Sequence, residues 1–116
     1  AAPGGAETNW ALLGQMATEL KLTLVIYMGA SHANLIQNGL LTHCASNIPV
    51  AFIQSASRHD QRFVRATLGT LTQTIREQFL QSPLIMVIGD VAKLANAALL
   101  DVVSSVQDRY NPRLVA

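Results

Sequence analysis

The sequence predicts an α/β domain: a mixed sheet of about four to five strands with helices on both faces. Three observations carry this. Strand-length runs, Leu22 to Tyr27 and Leu84 to Ile88, are apolar with almost no polar interruption, as in strands buried on both faces. Between them, apolar residues recur every three or four positions, the period of a helix. Glycine, proline and asparagine punctuate the joins, at Gly29, Asn47-Ile48-Pro49, Ser82-Pro83 and Gly89-Asp90.

Each element follows in order. Trp10, Leu13, Met16 or Ala17, and Leu20 form a helical stripe, with Thr8 or Asn9 as its N-cap. Leu22 to Tyr27 is the first strand, ended by Gly29. Ser31 opens a helix through Ile36 and Leu40. Pro49 to Ile53 is the second strand, and Gln54 to Asp60 a polar loop. Arg62 to Leu68 is a shorter, less apolar third strand. A helix striped by Leu71, Ile75 and Phe79 follows, then the fourth strand at Leu84 to Ile88. Leu94, Ala98, Val102 and Val106 mark the last helix. The short link between the second and third strands suggests one antiparallel pair.

With 116 residues, half of them hydrophobic and 13% charged, the chain has enough apolar surface for one core. A net charge of +1 and the lack of a basic run give no nucleic-acid signature. No apolar run approaches the ~20 residues of a membrane span. The one cysteine, Cys44, cannot form an internal disulfide, which favours a reducing compartment. The chain begins without methionine and is expected to be a piece of a longer protein. Residues 1–7 read as a linker from a missing N-terminal domain, 8–109 as the domain and 110–116 as a tail.

Candidate chemistry is sparse. His59-Asp60 lies in a polar loop, and adjacent side chains rarely address one substrate atom. His32, His43 and Cys44 fit no zinc spacing, and Cys44 has no nucleophile signature. Neither a catalytic residue nor a metal site is assigned. Arg58, Arg62 and Arg65 form a loose basic cluster; guanidinium forks suit carboxylates, and charges also protect an edge strand. Met28 sits at the carboxyl end of a central strand, where open α/β sheets bind ligands. Core packing and ligand contact both remain open for it.

Four stretches carry a resemblance: "TLVIYMG" (Thr23 to Gly29), "PVAFIQSAS" (Pro49 to Ser57), "QRFVRATL" (Gln61 to Leu68) and "SPLIMVIGDVAKL" (Ser82 to Leu94). In this order, and with the leading "GGAETNWALLGQMA", they resemble the C-terminal domain of uroporphyrinogen-III C-methyltransferases, in the tetrapyrrole methylase superfamily. The resemblance covers roughly Gly5 to Leu94. It implies a cytoplasmic, commonly homodimeric enzyme in its full-length form. Such an enzyme uses S-adenosylmethionine to methylate uroporphyrinogen III to precorrin-2, for siroheme or cobalamin. The methyl donor is expected to meet Met28 and Gly29, the Pro-Val-Ala strand at Ala51, and the loop at Ala56. The family has glycine where Ala56 stands, a departure that bears on the donor contact. Arg58 and Arg62 are candidate partners for the eight substrate carboxylates. The N-terminal domain would carry the catalytic side chains, so this fragment alone is expected to be inactive. The alternatives are a non-catalytic ligand-binding or regulatory domain, or a superfamily member with another substrate.

Overall fold

The computed structural model describes residues 9–12, 14–15, 23–28, 32–56 and 58–109. The expected linker and tail, Thr8, Leu13, Met16, Ala17, Leu20, Gly29 and Ser31 lie outside the described residues. So do the side chains of Met28 and Val106.

Residues 10–12 and 14–15 are helical. They are followed by β1 (Leu24–Met28), α1 (Ala33–Leu41), β2 (Pro49–Gln54) and β3 (Arg62–Thr67). A 3₁₀ turn (Leu68–Thr70) leads into α2 (Leu71–Glu77), then β4 (Leu84–Ile88). A second 3₁₀ turn (Asp90–Lys93) precedes α3 (Asn96–Arg109). The element order is the expected one.

The pairing corrects one expectation. The four strands lie in the order β1-β4-β2-β3, and all three neighbouring pairs are antiparallel. The sheet is therefore not mixed in its pairing. The physical reason is insertion: β1 and β2 run in the same direction, joined by α1, but β4 enters between them in the opposite sense. Likewise β3 and β4 share a direction with β2 between them. Each helical crossover spans one intervening strand.

Side chains alternate between two cores, as the period-2 geometry of strands requires. Ile26, Val50, Phe52, Leu84, Met86 and Ile88 point to the face covered by α1 and α2, where they meet Ile36, Leu40, Leu71 and Ile75. Ala51, Ile53, Ile85 and Val87 point to the face covered by α3, against Leu99 and Val103. Helices thus lie on both faces, and β4 is buried along its whole length, which explains its uninterrupted apolar run.

Two stripes depart from the sequence reading. Phe79 lies beyond the end of α2 with φ 54° and is 79% exposed. Leu94 precedes α3 and is 40% exposed. Among the described side chains of α3 the buried ones are Leu99 and Val103, one residue on from the Ala98 and Val102 stripe.

The two helices of the first face are clamped together by Gln37. Its amide nitrogen donates to the Gly69 carbonyl at 3.1 Å, and its oxygen accepts from the Thr72 N–H at 2.8 Å. The second bond satisfies a donor at the start of α2 that has no partner within the helix.

Candidate functional site

Because β1 and β2 run in the same direction, their carboxyl ends reach the same end of the sheet. Met28 pairs with Leu84, Leu84 with Gln54, and Gln54 with Arg62. These four residues form the terminal row of the sheet. The end of β1 and the end of β2 are two strand spacings apart, about 10 Å, with the start of β4 between them.

The loop leaving β2 turns sharply. Ser55 is buried and adopts the left-handed conformation, φ 55°. Its N–H donates to the Pro83 carbonyl at 3.0 Å, and its carbonyl accepts from the Arg58 N–H at 3.0 Å. Ala56 is half-buried and packs against the α3 face. The left-handed position is thus Ser55, one residue before the alanine that stands where relatives are expected to have glycine.

Ala51 lies in the middle of β2, fully buried between Val87 and Arg65. It belongs to the α3-side core and presents no surface at the rim. Gly29 is outside the described residues, and Met28 is described only as the last residue of β1.

The three arginines have separate fates. Arg62 Nη1 donates to the Gln78 carbonyl at 2.7 Å and Nη2 to Gln78 Oε1 at 3.3 Å. Arg65 Nη2 donates to the Leu94 carbonyl at 2.7 Å and to Asn96 Oδ1 at 2.9 Å, which pins the entry to α3. Both are structural ties that sequence spacing alone does not distinguish from a ligand cluster. Arg58 forms an exposed ion pair with Asp60 at 3.7 Å, an interaction of little energetic weight.

The remaining candidates do not converge. His59 and Asp60 lie in the exposed loop. Cys44 is buried, and its thiol donates to the Gly14 carbonyl at 3.3 Å. Among the described residues no three His, Cys, Asp or Glu side chains cluster as a metal site, and no helix is long and apolar enough to cross a membrane.

Sequence reasoning missed Gln54. Its oxygen accepts from the Gln81 N–H at 2.7 Å. With the Arg62–Gln78 contacts, this fastens the α2–β4 connection to the terminal row. Tyr27, half-buried on the α3 face, donates its phenolic proton to the Val103 carbonyl at 3.3 Å. Burial raises its pKa above the ordinary 10.0, so it is a neutral donor at physiological pH.

No family model matches the chain. Individual relatives do. The chain is 39% identical over 98 residues to a uroporphyrinogen-III C-methyltransferase of Pseudomonas fluorescens, covering 84% of the chain and 38% of that protein. It is 37% identical over 91 residues to a siroheme synthase of Pseudoalteromonas translucida, covering 78% of the chain and 18% of that protein. The chain therefore spans less than two fifths of either relative. Its fold matches the native uroporphyrin-III C-methyltransferase of Thermus thermophilus with a TM-score of 0.64 at 22% identity, over 90% of the chain and 44% of the enzyme. A structure of the same name and organism, in complex with S-adenosylhomocysteine, matches with a TM-score of 0.61 at 23% identity, over 78% of the chain and 38% of the enzyme. In sequence, and with the fold in agreement, the chain is thus related to the uroporphyrinogen-III C-methyltransferases and siroheme synthases, matching one part of each.

Proposed function

We propose that this chain is the C-terminal domain of an S-adenosylmethionine-dependent uroporphyrinogen-III C-methyltransferase that forms precorrin-2, and that it supplies half of the methyl-donor cleft. The observation that carries the reading is the 39% identity over 98 residues to a uroporphyrinogen-III C-methyltransferase. The rim fits a half-site. Two parallel-directed strands end in one row, and the chain leaves β2 through a tight turn.

S-adenosylmethionine carries an electrophilic methyl group on a sulfonium, and transfer to a ring carbon is an in-line displacement. Alignment and exclusion of water matter more to such a step than a protein nucleophile. Met28, Gly29 and Ala56 are the residues proposed to hold the donor from this side. The sheet behind them, with β4 fully buried, supplies the rigid backing that alignment requires. Ala51, being in the core, supports that backing from behind. The catalytic side chains and the rest of the donor contacts come from the other domain, and the working unit is a cytoplasmic homodimer.

The test is methyl transfer by the full-length protein, supplied with S-adenosylmethionine and uroporphyrinogen III and followed by mass of the dimethylated product. Two methyl additions are expected. Donor binding without any addition would overturn the substrate assignment, and the absence of donor binding would overturn the whole reading.

A further inference from the structure

Phe79 is the most exposed large apolar side chain among the described residues, and its backbone is in the left-handed region. It occupies the residue just past the C-cap of α2. The Leu80 N–H donates to the Ile75 carbonyl at 3.0 Å and the Phe79 N–H to the Arg76 carbonyl at 3.3 Å. This is a Schellman turn, and the residue at its left-handed position is usually glycine. A phenylalanine there is doubly unfavourable: its Cβ crowds the backbone, and its ring stays in water. Among the described residues the ring joins neither core cluster, and Leu80 and Ile75 close the turn onto the core.

The segment carrying the ring is nevertheless held firmly. Arg62 grips Gln78, and Gln54 grips Gln81. Both gripping residues belong to the terminal row of the sheet, the row that ends at Met28. The segment carrying the ring is therefore fastened on the β2–β3 side of this rim, about 14 Å along the row from Met28. On the adjoining β2–β3 loop, Arg58 is exposed at the same end, paired only loosely with Asp60.

We infer that Phe79 is a substrate-contacting residue: its ring packs on the face of a large, apolar macrocycle whose edge carries carboxylates, with Arg58 facing that edge. The inference rests on the reading above and deepens it. Arg62 then becomes a positioning residue that acts through Gln78, in place of a direct carboxylate ligand. An aromatic surface beside a guanidinium fits pyrrole rings whose edges carry carboxylates.

The decisive variant is Phe79→Gly in the full-length protein, because glycine relieves the left-handed backbone while removing the ring. Three quantities are read: thermal midpoint, affinity for S-adenosylhomocysteine by calorimetry, and affinity for uroporphyrin III by its fluorescence. Uroporphyrin III is the oxidised, unreactive form of the macrocycle. The expected result is an unchanged or raised thermal midpoint, unchanged S-adenosylhomocysteine binding, and macrocycle affinity reduced about tenfold. Arg62→Ala should weaken macrocycle binding in the same direction, and Arg62→Lys should restore little of it, because a lysine cannot reproduce the forked contact. Unchanged macrocycle affinity in Phe79→Gly overturns the inference. So does a shift from dimer to monomer in light scattering with macrocycle affinity intact, since the ring would then serve a second copy. If the wild-type protein binds uroporphyrin III but does not methylate uroporphyrinogen III, the functional reading fails while this contact stands or falls on its own measurement. If the wild type binds no macrocycle, the contact is refuted, and S-adenosylhomocysteine binding then shows whether the donor half-site survives.

Discussion

Replacing Gly39 with alanine tests how the N-terminal helical residues dock. Gly39 lies inside α1, where alanine should gain about 1 kcal/mol of helix propensity over glycine. Its missing side chain, however, is where Trp10 sits. A Cβ at position 39 would overlap Trp10 Cβ and lie 3.3 Å from Trp10 Cα and Cγ. Carbon atoms not bonded to each other settle about 3.5–4.0 Å apart, so the Trp10 segment must retreat. Overpacking of this kind costs about 1–3 kcal/mol. The propensity gain offsets part of it, leaving a net loss of roughly 0–2 kcal/mol. Global stability alone is therefore a weak readout, and the tryptophan is a strong one. Trp10 is the only tryptophan of the chain and packs against the α1/α2 core. In Gly39→Ala its emission should shift to the red and its acrylamide quenching should increase, while the far-ultraviolet circular dichroism of the sheet and of α2 and α3 persists. An unshifted emission together with a raised thermal midpoint would refute the packing argument, because it would mean that only the helix-propensity term operates.

Phe52 is fully buried beneath α1 and α2, so Phe52→Ala should cost about 3–5 kcal/mol in urea unfolding, a large part of a typical domain's stability. Tyr27 makes stability pH-dependent at the alkaline end. Its folded pKa lies above the unfolded 10.0, so its contribution is full below pH 10 and is lost as pH rises through the folded value. Tyr27→Phe should lose about 1 kcal/mol at neutral pH and show a shallower decline above pH 10 than the wild type; parallel declines would exclude Tyr27 as the source. Ser55→Gly should stabilise by roughly 1 kcal/mol, because a left-handed serine becomes a left-handed glycine. Ala56→Gly has no such strain to relieve and should destabilise by about 0.4–1 kcal/mol through added freedom in the unfolded chain. Both are measured by denaturant titration, and a stabilising Ala56→Gly would contradict the turn geometry.

The elements were legible because burial is written in composition. β4 needs apolar residues at every position, and "LIMVI" supplies them. Strand order was less accessible. The sequence points to a mixed sheet without an order, and nothing local records that β4 slots between β1 and β2. The errors at Phe79 and Leu94 share one cause. An i, i+4 pattern continues formally past a helix end, and sequence alone does not show that α2 stops at Glu77 or that α3 starts at Asn96. The site was half legible for a similar reason. Strand ends are marked by glycines and polar runs, so the places where β1 and β2 end are readable in the sequence. Which arginine is free to meet a ligand depends on partners such as Gln78 and Asn96, more than ten residues away in sequence.

The position of the left-handed residue bears on how the departure at Ala56 should be understood. If relatives need glycine at that position for backbone conformation, alanine here would strain the turn. In this chain the turn takes its left-handed step at Ser55, and Ala56 follows with its methyl group against the α3-side core. A conformational requirement at position 56 is therefore absent. What alanine changes is space: one methyl group in a half-buried position beside the rim. The effect of Ala56→Gly on the fold and its effect on a bound donor then separate cleanly. A methyl group that only packs would make glycine destabilising with donor affinity unchanged. A methyl group that faces the donor would make glycine destabilising in the empty protein and change S-adenosylhomocysteine affinity in the full-length protein as well. The second outcome is the one the proposed half-site requires.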